Sequence, residues 1–133
     1  MENENIKINF LHICENAFFS DDKKLNIINI FDIINVSNVP AIHPKFSIAL
    51  GLSGDITKHQ LFIEILSPNK TKIIRSEYKG IKEDMKNKTN LVLNFVGIIF
   101  KELGEYKILL KIEEEKIINE YSFKVVKKII KYD

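Results

Sequence analysis

Three stretches of the chain alternate strictly between two sides. In FSIALGL, Phe46, Ile48, Leu50 and Leu52 fall on one side, with Ser47, Ala49 and Gly51 on the other. In QLFIEIL, Leu61, Ile63 and Ile65 oppose Gln60 and Glu64. In EYKILLKI, Tyr106, Ile108, Leu110 and Ile112 alternate with Lys107, Leu109 and Lys111. A period of two predicts strands with one face on a core and one toward solvent. INFLHIC is apolar on both faces, as a covered strand would be. LNIINIF changes phase near Asn29, and LVLNFVGIIF carries Gly97 where a bulge would interrupt the pleat. KIIRSEYKG and KIINEYSFKVV bring the total to about eight strands.

The punctuation agrees. SDDKK and SPNKTK read as turns, EEEK as a tight hairpin connection, and GIKEDMKNK as a polar loop with room for one helical turn. KKIIKYD extends the last strand or frays. Short strands rich in Ile, Val and Phe, separated by frequent turns, predict an all-β fold. The expected form is a two-layer antiparallel β-sandwich. Its core should include Phe10, Leu25, Phe31, Ile48, Leu50, Ile63, Leu91, Leu93, Tyr106, Ile108, Leu110 and Phe123.

Composition narrows the function. A chain of 133 residues, 45% apolar, fits one domain over residues 1–133 with a core of its own. The net charge is only +2, and Arg75 is the sole arginine. Lysines dispersed among Glu and Asp do not make the clustered basic face of a nucleic-acid reader. No apolar run approaches the ~18 residues of a membrane span, and MENENIKINF has no signal-peptide pattern. With Cys14 as the only cysteine, no intrachain disulfide can form. The expectation is a cytoplasmic protein with neither nucleic acid nor membrane as partner.

Two further stretches carry a resemblance. CENAFFSDDKKLNIINIFDII followed by VPAIHPKF, and NLVLNF followed by LGEYKILLKI, together resemble a family of uncharacterised bacterial proteins, a domain of unknown function. The shared features are an acidic residue before a turn, a Lys-Leu-Ile-Phe-Asp type of strand, a proline-flanked His-Pro step and a Gly-acidic-Tyr step. The likeness runs over roughly residues 10–112. It implies an immunoglobulin-like β-sandwich and brings no catalytic residues. Asn29 departs from the pattern, which has glycine there, although Asn tolerates a left-handed backbone better than most residues. The Gly104-Glu105-Tyr106 step also has its own reading, a structural tyrosine corner.

Candidate chemistry is sparse. His12, Cys14, His43 and His59 could ligate a metal, but their spacing matches no metal signature, so no metal and no cofactor is expected. Glu15, Asp32 and His43 could gather at one end of a sandwich, where a carboxylate would orient a histidine base. There is no Gly-x-Ser-x-Gly elbow and no glycine-rich phosphate cradle, so no catalytic residue is assigned. A binding site would use His12, Glu15, Asp32 and His43. Pro40 and Pro44 stiffen the segment around His43, which reads as a rigid crossover between sheets or, alternatively, as a recognition loop. Asn29, Pro40, Pro44, Gly104 and Tyr106 are structural positions. Ile28, Ile30, Ile34, Val36 and Ile130 cannot all face one core. Their surplus predicts a non-enzymatic interaction module that binds an unknown protein or forms a homodimer through a sheet face or edge. The rival is a small-molecule or metal-binding protein, possibly enzymatic, built on the four polar residues.

Overall fold

The structure, a computed structural model, describes residues 6–113 and 116–129. Glu114 and Glu115 of the EEEK connection, Ile130 and the rest of the KKIIKYD tail lie outside the described residues. The described chain forms nine strands: β1 (Lys7–Phe19), β2 (Leu25–Ile30), β3 (Ile33–Val36), β4 (Ala41–Ser53), β5 (Leu61–Leu66), β6 (Lys72–Glu77), β7 (Lys88–Phe100), β8 (Gly104–Ile112) and β9 (Lys116–Lys127). One short 3-10 turn, Ile56–Lys58, follows β4. The GIKEDMKNK loop forms no helix, but it closes one hydrogen-bonded turn, in which the Met85 N–H donates to the Lys82 carbonyl at 3.0 Å. Ile81 and Met85 on either side of that turn pack against the core.

The strands make two sheets, β2-β1-β4-β7 and β3-β9-β8-β5-β6. All pairings are antiparallel except β3 with β9. The extra strand and the parallel pair have one cause. After β2, Asp32 lets the chain leave the first sheet and lay Ile33–Val36 along the last strand, where the Asp32 carbonyl accepts the Lys124 N–H at 2.8 Å. This corrects the expected surplus: Ile34 and Val36 are buried in the core. The plan is that of an immunoglobulin-like sandwich. β1, β4 and β7 hold the places of strands A, B and E, and β5, β8 and β9 those of C, F and G.

Between the sheets lies one large apolar cluster, including Phe46, Ile48, Leu50, Ile63, Leu91, Leu93, Phe100, Tyr106, Ile108, Leu110 and Phe123. Phe100 meets Tyr106 edge-on at 5.1 Å, and Tyr106 stacks on Phe123 at 5.4 Å. Phe31 is half-buried against this cluster. Phe10 and Leu25 are not part of it. They cover a second, smaller cluster of Cys14, Ala17 and Ala49. The second cluster explains why β4 is buried on both faces: Ser47, Ala49 and Gly51 do not meet solvent, because the neighbouring β1 lays its side chains over them.

Gly51 shows the fit most sharply. A Cβ there would come within 2.1 Å of the Phe10 ring, which therefore lies directly on the bare backbone of β4. Gly51→Ala is expected to displace Phe10 and cost about 1–3 kcal/mol in chemical denaturation. In a Phe10→Ala background the same change should cost much less. Additive losses would show that the ring does not cover the glycine.

Candidate functional site

The four predicted binding residues lie around the β1–β3 end of the sandwich. His12 and Asp32 border a groove of about 330 Å³ with Leu11, Ile13, Ile108 and Tyr121. Glu15 and His43 border a second groove, about 420 Å³, with Asn29, Phe31 and Asn35. Ile30 and Phe31 line both grooves and so stand between the pairs. Among the described residues no hydrogen bond or ion pair joins any two of the four. Glu15 instead accepts the Asn29 side-chain amide at 2.9 Å. Asn29 sits at φ 55°, the left-handed backbone that Asn tolerates, and this turns its amide onto Glu15.

His43 is not on a loop. The crossover is confined to residues 37–40 and contains the cis Val39–Pro40 bond, while His43 and Pro44 lie inside β4. The ladder between β4 and β7 pairs His43 with Ile98 and Lys45 with Val96 and skips Pro44 opposite Gly97. Pro44 has no N–H to give, and Gly97 adopts φ 67°, so the two strands distort together. The half-buried His43 ring lies 6.2 Å from Phe31, 5.8 Å from Phe46 and 6.4 Å from Phe100. These are packing contacts.

Cys14 is fully buried, and its thiol donates to the Ser47 carbonyl at 3.5 Å. Burial pushes the thiol pKa up, against weaker lowering effects of the Asn16 backbone and Lys45, so thiolate chemistry is disfavoured. Tyr106 is the corner its sequence context suggests. Its hydroxyl donates to the Glu102 carbonyl at 2.7 Å and accepts the Glu102 N–H at 3.3 Å. Gly104, at φ 130°, makes the turn between them, and a Cβ there would press on Pro68 at 3.1 Å.

Two charged groupings escape the sequence reading. Glu64 is only 1% exposed although it points away from the core. Lys111 Nζ is 2.8 Å from its Oε1, Lys72 Nζ 3.0 Å and Arg75 Nε 3.5 Å from its Oε2. The Lys111 approach satisfies Oε1 as an ion pair, although its angle is not that of a directional hydrogen bond. Burial alone raises the Glu64 pKa; Lys111 and Lys72 outweigh it and hold the carboxyl below its ordinary value. Register makes the cluster: Arg75 stands opposite Glu64, and Lys72 and Lys111 are its diagonal neighbours, opposite Leu66 and Phe62. The Arg75 guanidinium also lies 4.3 Å over the Phe62 ring. A carboxylate held charged by three cations is a poor proton donor, and its arrangement is structural. The second grouping is His59, whose Nδ1 is 3.1 Å from Glu113 Oε1; the same oxygen takes the Gln60 N–H at 3.3 Å. No group of three metal-capable side chains occurs among the described residues.

The most open feature is an edge. Among the described residues β7 pairs only with β4, and β6 ends the other sheet on the same side. Tyr78, Ile81 and Met85 of the β6–β7 connection pack onto the core at one end of this side. At the other end a groove of about 530 Å³ runs between Ile73 and Ile74 on β6 and Gly97, Ile98 and Ile99 on β7. Beside it, Val96 is 73% exposed, Ile42 69% and Ile99 48%, with Ile42 directly opposite Ile99. The sequence reading placed its surplus at Ile28 and Ile30, which are also exposed, but missed this strip.

Residues 9–126 match DUF6941, a family of unknown function. The chain belongs to this family. Membership of DUF6941 does not by itself assign a function. No curated protein matches the chain. Among solved structures, it is similar to an immunoglobulin-like protein, PA1606, from Pseudomonas aeruginosa, at 18% identity over 91% of this chain and 96% of that one, with a TM-score of 0.46.

Proposed function

We propose that this DUF6941 member is a non-enzymatic interaction module that holds another protein chain against the β7 side of its first sheet. The observation that carries the reading is the strip of Ile42, Val96 and Ile99, exposed on two adjacent strands beside an open sheet edge. Contiguous exposed apolar side chains at such a place mark association surfaces. The chemistry-bearing residues support the same reading, since Cys14 is buried, the Glu64 carboxylate is held by three cations and His43 is packed among rings. A single, buried, unpaired cysteine suits a reducing compartment such as the cytoplasm.

The test is a comparison in the native host. The tagged wild type should recover a discrete partner, or a second copy of itself by light scattering. The triple variant Ile42→Ser/Val96→Ser/Ile99→Ser should fold and lose it. An unchanged set of recovered proteins and an unchanged mass would overturn the reading. A small-molecule reading has one observation in its favour, the groove that Glu15, Asn29 and His43 border. Native mass spectrometry of the purified protein tests it, a bound small molecule displaced by His43→Ala being the supporting result.

A further inference from the structure

A second site, separate from the exposed strip, lies among β1, β2, β3 and β4. It goes beyond the interaction reading and rests on the small-molecule one, whose groove Glu15, Asn29 and His43 border. We infer that this groove takes a small primary amine, with its ammonium on Glu15 and Asn29 and its apolar chain along Phe31 and Ile33.

The backbone marks the place. Four described residues other than glycine have positive φ: Lys23, Asn29, Lys70 and Glu113. Lys23, Lys70 and Glu113 lie in connections between strands, where such a backbone is ordinary. Asn29 lies inside β2. The β1–β2 ladder pairs Cys14 with Ile30 and Asn16 with Ile28 and leaves out Glu15 and Asn29. The Asn29 amide, at φ 55°, instead holds Glu15 Oε2 at 2.9 Å. Strained backbone of this kind concentrates at ligand clamps. What it positions here is a carboxylate.

Charge then selects the ligand. Glu15 is the only Asp, Glu, Lys or Arg that lines the groove. Among the described residues, its Oε1 and Asn29 Oδ1 have no hydrogen-bond or ion-pair partner. The cations around the site are engaged or stand elsewhere. Lys45, two residues beyond His43 on β4, donates to Asn16 Oδ1 at 3.1 Å. Lys124 and Lys127 on β9 stand opposite Ile33 and Val36, and neither lines the groove. Asp32 borders the neighbouring groove and adds negative charge beyond Phe31. An ammonium brings three N–H donors, which suit Glu15 Oε1 and Asn29 Oδ1, and the Phe31 ring beside them favours a cation. The walls are apolar. Ile30 is 57% and Ile33 48% exposed, so a short hydrocarbon chain laid on them leaves water. A metal ion fits less well. Glu15 and His43 are the two metal-capable side chains here, and no group of three occurs among the described residues.

The test is a titration of the isotope-labelled full chain with hexylamine at neutral pH, followed by amide chemical shifts. The Asn29 side-chain amide and the Ile30 and Ile33 backbone amides should shift and saturate. Hexanol, with the same chain and no charge, should not move them. Glu15→Gln keeps the shape and should weaken binding about tenfold. Asn29→Gly keeps the left-handed backbone, removes the amide and should weaken binding in the same direction. Asp32→Asn, in the neighbouring groove, should leave it unchanged. Shifts that do not saturate, equal shifts with hexanol, or full affinity in Glu15→Gln overturn the inference. Binding abolished by Asp32→Asn places the cation in the other groove and overturns it too. A terminally blocked lysine peptide that binds where hexylamine does not would give the groove to a protein side chain and overturn the free amine. If native mass spectrometry finds a small molecule that His43→Ala displaces and that is not an amine, this inference falls and the small-molecule reading stands. If it finds none and hexylamine does not bind, both fall.

Discussion

Glu64→Ala is expected to destabilise the fold by about 2–3 kcal/mol, a large effect for one residue on a sheet's outer face. Removing one member of a buried charge cluster leaves the others uncompensated. The full cost of such a break is about 3–5 kcal/mol. It is reduced here because Lys72 and Arg75 are partly exposed and can turn to water, whereas Lys111 is only 14% exposed and cannot. Glu64→Gln keeps the volume and should lose less. Glu64→Leu/Lys111→Leu, which removes the least exposed pair together, should recover most of the loss. Urea denaturation at neutral pH measures all three. The carboxyl is held below its ordinary pKa by Lys111 and Lys72 against the opposing effect of burial. Its contribution is therefore present above the unfolded-state pKa and is lost as pH falls through the lower, folded value. The gap between wild type and Glu64→Gln should be widest at neutral pH and close in acid. A gap that stays constant into acid would show that the cations do not stabilise the carboxylate.

Tyr106→Ala is expected to cost about 3–5 kcal/mol, and Tyr106→Phe about 1 kcal/mol. The difference separates two roles of one side chain. The ring is sandwiched between Phe100 and Phe123 and joins the sheets, and its removal opens a cavity. The hydroxyl only ties the corner to Glu102, a half-buried residue whose carbonyl can turn to water when the partner is lost. Stability measured in the same denaturant series tests both. A Phe variant as unstable as the Ala variant would put the whole effect in the hydroxyl bond. A Phe variant equal to wild type would show that the corner bond adds nothing.

How much of this was legible differs from segment to segment. Strong period-two stretches gave β4, β5 and β8 with their inward residues, because a half-buried strand must alternate. The Gly104–Tyr106 corner was readable because a glycine turn followed by a strand tyrosine has a local geometry. Asn29 and Gly97 were readable for a similar reason: both break an alternation, and both have positive φ. The histidine between two prolines misled. Proline suggested a rigid loop, but Gly97 on the partner strand absorbs the distortion, and His43 stays within β4.

The buried carboxylate and the open edge were not legible for a different reason. Glu64 looks like any solvent-facing strand residue until register sets Arg75 across from it and Lys72 and Lys111 on its diagonals. Ile34 and Val36 looked surplus until β3 lay parallel to β9 and turned them inward. Ile42, Val96 and Ile99 looked like ordinary strand positions until sheet order left β7 at an edge. Strands, turns and most inward-facing residues were readable along the chain, because they follow from local periodicity and backbone preference. Which strands are neighbours, which charges meet and which apolar residues remain uncovered emerged with the folded sheets. Those depend on pairing between residues far apart in the chain, and no local pattern encodes it.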